Sequence, residues 1–194
     1  MSRGECPGMA EAVINRPVFA KRAIVITSLI VLFFLTLFLV VVVDLFTFRI
    51  KYEGHWSGNG NPALLFVFLL LPVYAVFLSL LGITSRSIFA QRMEKGFYHY
   101  GLIGFLTLLG LIQVGAAALY KDLVLFTLSN TPFAPDPHGL TWGHWNQYSN
   151  TAYVNGFTYS LGIITAIVLG YIAAAIGRRI GQGRQPKDAK GNSV

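Results

Sequence analysis

Four stretches of the chain carry no charged residue and few polar ones: Ala23–Val43, Pro62–Ser85, Tyr100–Tyr120 and Val154–Gly177. Each is apolar around the whole helical circumference and reaches the roughly 20 residues a helix needs to cross about 30 Å of hydrocarbon. At that depth no water is present to bond free N–H and C=O groups, so each stretch must satisfy its own backbone as a helix. The pattern therefore predicts an all-α integral membrane protein, a four-transmembrane-helix bundle with helices at about 23–43, 62–85, 100–120 and 154–177. The first run is too long for a signal-peptide core, and no small-residue cleavage site follows it, so it is expected to stay as a membrane helix.

The polar segments between these runs set an expected orientation. The segments before the first run, between the second and third, and after the fourth hold twelve of the fifteen Lys and Arg residues. Lys and Arg concentrate on the cytoplasmic side, so both termini are expected there. Residues 1–22 then form a polar N-terminal tail, 23–177 the membrane domain, and 178–194 a basic C-terminal tail. A smaller outer loop spans 44–61 and a larger one 121–153. Composition agrees with this picture: of 194 residues, 54% are hydrophobic and only 12% charged, against about 25% charged in a typical soluble domain. The net charge of +7 is explained by topology and gives no reason to expect a nucleic-acid partner. It does suit contact with anionic lipid. Cys6 stands alone, so no intramolecular disulfide is available. The membrane itself is left open between plasma membrane and endomembrane.

The two outer loops echo each other. Residues 54–61 read GHWSGNGN and residues 143–150 read GHWNQYSN, each with Gly-His-Trp and an Asn five residues after the Trp. Upstream, Asp44-Leu-Phe-Thr follows the first run, and Asp122-Leu-Val-Leu-Phe-Thr follows the third. A duplicated helical hairpin with its axis along the membrane normal would place both elements on one face, touching each other at the entrance to the second and fourth helices. The Asp122–Leu128 segment reads as a short strand or an interfacial helix. Beyond it, the proline-rich Thr131–His138 favours an extended path.

His55, His138 and His144 match the ligand count of many zinc or copper sites. They lack the i, i+3 or i, i+4 spacing that prearranges ligands on a helix, and no cysteine or outer carboxylate cluster supports them. With Trp56, Trp142 and Trp145 beside them, the better account is an aromatic belt at the membrane interface. His55, Trp56, Trp142, His144 and Trp145 are expected to form that outer interface. No nucleophile with an adjacent base, phosphate loop or helical zinc motif is present, and no cofactor is expected.

Small residues carry the clearest spacing signal within the spans. Gly162, Ala166, Gly170 and Ala174 recur every four residues, and Gly101, Gly104, Thr107, Gly110 and Gln113 every three. Small residues let helices approach closely, so the two sets are expected to pack against each other, or to engage another membrane protein or a second copy. Gln113 is the strong polar group well inside a span and calls for an interhelical hydrogen bond, because an uncompensated buried amide costs a few kcal/mol. Ionisable groups are absent from mid-span positions, where pumps and ion-coupled transporters place them.

The layout resembles tetraspan proteins in general. Tetraspanins share it but carry a Cys-Cys-Gly loop motif absent here. Claudin-like proteins have Gly-Leu-Trp and paired cysteines in a long first outer loop, where this chain has Gly54-His55-Trp56 in a short one. MARVEL-type proteins share the topology without a sharp motif, and no family is assigned. The functional expectation is a non-enzymatic membrane organiser or accessory subunit. The rivals are a small transporter or channel subunit using Gln113 and Pro72, and a membrane enzyme or metal-binding protein using the outer histidines.

Overall fold

The computed structural model of the protein describes residues 8–47, 61–129 and 148–183, with side chains over 21–47, 61–127 and 148–181. Its elements are α1 (Gly8–Phe46), α2 (Ala63–Glu94), α3 (Tyr100–Ser129), the single turn α4 (Asn150–Tyr153) and α5 (Gly156–Gly183). Four membrane-length spans are present, Lys21–Phe46, Ala63–Glu94, Tyr100–Thr127 and Asn150–Gly181, of 26, 32, 28 and 32 residues.

The helices run further than the apolar stretches that predict them, each for a local reason. α2 continues nine residues past Ser85, because Phe89 and Met93 turn back into the core on the same face as Ser85. It stops at Gly96, whose φ of 80° favours a residue without a Cβ. Gly96 N–H donates to the Met93 carbonyl at 3.0 Å and Phe97 N–H to that of Arg92 at 3.1 Å. This paired closure satisfies carbonyls that the helix end leaves free. Likewise α3 runs to Ser129, so Asp122–Leu128 continues the third helix as regular α-helix. No Gly or Pro interrupts that segment before Pro132. At the other end of the chain, α1 begins at Gly8, inside the segment expected as a tail.

The fourth span, Asn150–Gly181, is broken at Val154–Asn155, the first two residues of the fourth apolar run, so that α4 precedes the run and α5 carries it. Asn155 Oδ1 accepts from the N–H groups of Phe157 (2.9 Å) and Thr158 (3.0 Å), while Thr158 Oγ1 accepts from Asn155 N–H (3.1 Å). This reciprocal cap starts α5 afresh. Asn155 Nδ2 donates back to the Thr151 carbonyl at 3.0 Å, tying the cap to α4.

In space the long helices follow the order α1, α2, α5, α3, with α2 and α5 as the central pair. Each hairpin thus contributes its second long helix to the middle. One end of the domain carries Asn61 and Asn150 and is called here the amide end; the other, with Arg86, Arg92 and Arg178, is the basic end. Near the amide end, Leu39, Val40, Leu70 and Tyr159 form one core, and Val43, Ala63 and Val67 another. Toward the basic end, Phe89, Met93, Tyr171 and Ala174 form a third, with Ile103 of α3 packed on it. Among the described side chains of α1 the buried ones run from Thr36 to Val43, with buried Thr47 just past the helix end, whereas Ile24, Ile26, Ile30 and Val31 are exposed.

Candidate functional site

At the amide end two carboxamides close on each other. Asn61 Nδ2 donates to Asn150 Oδ1 and Asn150 Nδ2 to Asn61 Oδ1, both at 2.9 Å. Asn150 is fully buried, as is Ser149 before it. A primary amide has a donor and an acceptor side by side, so two of them satisfy each other as a closed pair. These are the terminal Asn residues of the two echoing octapeptides, and each leads into one helix of the central pair. Counterpart residues meeting reciprocally is the contact that an approximate two-fold relation between hairpins produces.

Below this pair, hydroxyls join three helices. The Tyr159 hydroxyl lies 2.9 Å from Thr36 Oγ1 and donates toward the Phe33 carbonyl at 3.2 Å, linking α5 to α1. Tyr74 of α2 donates to the Tyr159 carbonyl, and the two tyrosine rings stack with centroids 5.1 Å apart. The Tyr74 hydroxyl occupies the space a side chain at Gly162 would need, since a Cβ there would collide with it. Thr36, Tyr74 and Tyr159 carried no spacing signal in the sequence, because isolated hydroxyls in an apolar run have no period.

The small-residue set of α5 faces α2. A Cβ on Gly170 would meet the Gly82 carbonyl oxygen at 2.7 Å, Ser85 Cβ at 2.8 Å and Arg86 N at 3.0 Å, so the two backbones touch. A Cβ on Gly82 would lie 3.5 Å from the Ala166 carbonyl oxygen, and Ala174 lies in the core with Phe89 and Met93. The expected pairing of the α5 set with the α3 set is therefore replaced by a pairing of α5 with α2.

The α3 set divides between two sides. Gly110 is buried, and a Cβ on it would lie 3.4 Å from Ile164 Cγ2 of α5, whereas a Cβ on Gly101 or Gly104 would meet nothing within 4 Å among the described residues. At 3.6 residues per turn an i, i+3 series winds around the helix, and nine residues amount to about half a turn beyond two full ones. Gly101 and Gly110 must then point opposite ways. Gly115, also open, returns to the free side with the exposed Leu108. Gln113 is half-buried, and its Oε1 is shielded from solvent with no hydrogen-bond partner among the described residues. The expected interhelical bond to that oxygen is thus not seen among them.

His55, Trp56, His138, Trp142, His144 and Trp145 lie outside the described residues. Among the described residues no group of three His, Cys, Asp or Glu is placed to hold a metal ion. Pro72 sits within α2 on an exposed flank, and α5 lies between α2 and the helix that carries Gln113.

Four helices long and apolar enough to cross a bilayer make this a multi-pass integral membrane protein with an all-helical membrane domain. Comparison with protein-family models, with curated proteins and with solved structures finds no match.

Proposed function

We propose that the protein is a non-enzymatic accessory subunit or organiser of a membrane assembly, and that it engages its partner through the free face of α3. One observation carries this reading: among the described residues nothing packs against Gly101, Gly104 and Gly115, which share the side of α3 away from α5. A glycine within a helix costs about 1 kcal/mol relative to alanine. Three on one side bring no packing among the described residues to offset that cost. A second transmembrane helix laid against them recovers it, since glycines allow the close backbone approach on which helix association in lipid depends. The Gly162–Ala166–Gly170 series supports the same view by contrast, being occupied inside the chain by α2.

The test is photo-cross-linking from Leu108, in the native protein and in a Gly104→Leu, Gly115→Leu variant. The reading expects a cross-link to a transmembrane segment, of another protein or a second copy, that is lost in the variant while thermal stability in detergent is kept. An unchanged cross-link, or cross-linking to lipid alone in both proteins, overturns it.

A further inference from the structure

A groove of about 780 Å³ runs along the outside of the α2–α5 seam, lined by Leu78, Gly82, Ile83, Leu161, Leu169 and Ala173, among others. Its walls are almost wholly apolar. The stretch from Leu161 to Ala173 rises about 18 Å at 1.5 Å per residue, close to the depth of one leaflet, which is half of about 30 Å. At its basic end Arg86 forms part of the lining, and Arg86 also lines a second, polar cavity of about 620 Å³ together with Glu94 and Arg178. The two cavities therefore adjoin, sharing Arg86 and Ala173 in their linings.

The charged groups of the polar cavity are not equivalent. Arg178 donates to the Met93 carbonyl and lies 5.2 Å from the centre of the Tyr98 ring, which holds it against the end of α2. Arg86 is exposed and makes no hydrogen bond or ion pair among the described residues. Two guanidiniums and one carboxylate leave one net positive charge at the mouth of an apolar channel one leaflet deep.

We infer that this composite groove is a binding site for a glycerophospholipid of one net negative charge, with an acyl chain lying along the α2–α5 seam and its phosphate against Arg86. An acyl chain fits because the floor is backbone and small side chains, left smooth by Gly82, Ala166 and Gly170. A phosphate fits because a guanidinium presents several donors to its oxygens, and charge-assisted bonds of this kind are the stronger ones. Where the groove enters headgroup depth its lining turns from apolar to charged, as a single amphiphile requires. The inference stands apart from the proposal for α3, since the groove lies on other helices.

The test is native mass spectrometry of the whole protein released from nanodiscs containing equal parts phosphatidylglycerol and phosphatidylcholine. The native protein should retain one lipid, with phosphatidylglycerol favoured at least five-fold. Arg86→Gln should abolish that preference, whereas Arg92→Gln, which removes the same charge from the same end outside the groove, should leave it intact. Thr165→Trp, at an exposed position in the groove wall, should displace the bound lipid of either class, and its unchanged thermal unfolding would show that the seam is intact. Absence of retained lipid, retention without headgroup preference, or equal effects of the Arg86 and Arg92 substitutions would overturn the site, the last in favour of diffuse attraction to a basic end.

Discussion

Gly170 of α5 and Gly104 of α3 are the same residue in the same kind of helix, and each belongs to a regular series of small residues. Their surroundings differ completely. Gly170 has backbone of α2 where its Cβ would be, whereas a Cβ on Gly104 would meet nothing within 4 Å among the described residues. On α5 the glycines let two helices of one chain touch, and the Tyr74–Tyr159–Thr36 hydroxyls then join α1 to the pair. On α3, Gly101, Gly104 and Gly115 make no such contact among the described residues. A small-residue series therefore marks a place where a helix can come close, while the identity of that helix is settled by the rest of the molecule.

The sharpest way to break this contrast is to substitute both glycines alike. Gly170→Leu must displace the Gly82 carbonyl and the Arg86 backbone, neither the end of a flexible side chain, and should cost the 1–3 kcal/mol typical of overpacking or more. It should appear as the largest loss of thermal stability in detergent among these variants. Gly162→Ala is expected to follow, because its methyl takes the place of the Tyr74 hydroxyl. Adding Tyr74→Phe should recover part of the loss, and a double mutant no more stable than Gly162→Ala would refute that account of the site. Asn150→Ala leaves the half-buried Asn61 amide without this partner and should cost at most the roughly 1–3 kcal/mol typical of a fully buried polar group left unpaired. A cycle with Asn61→Ala should give strong coupling, since both substitutions remove the same pair of hydrogen bonds. Last comes Gly104→Leu, expected to leave thermal unfolding unchanged or raise it slightly, as helix propensity improves with no neighbour to meet. A loss there as large as that at Gly170 would erase the distinction between the two faces.

The echoing loops show a similar division. The sequence points to Asn61 and Asn150 as matching positions, and the structure brings those two residues into a closed amide pair. The histidines and tryptophans that made the echo conspicuous lie outside the described residues. Asn155 shows the reverse case. It sits one residue inside the fourth apolar run and looks like a polar residue tolerated at a span's edge, yet its side chain ends one helix and starts the next. Such capping depends on backbone direction at a single residue, and hydropathy averaged over a window does not register it.

By itself the sequence determined the class of protein and the number of spans. Burial in hydrocarbon demands about 20 apolar residues and a helical backbone whatever the neighbours, so those properties are local. It also determined the spacing of small residues, and hence which helices can approach closely. Only the tertiary structure decided that α5 pairs with α2, that the α3 series splits between Gly110 inside and Gly101, Gly104 and Gly115 outside, and that Thr36, Tyr74 and Tyr159 meet. Those outcomes depend on how rigid helices rotate and stack against one another. In lipid that choice rests on close packing and a few hydrogen bonds, which are properties of pairs of surfaces and leave no trace in the pattern of any one helix.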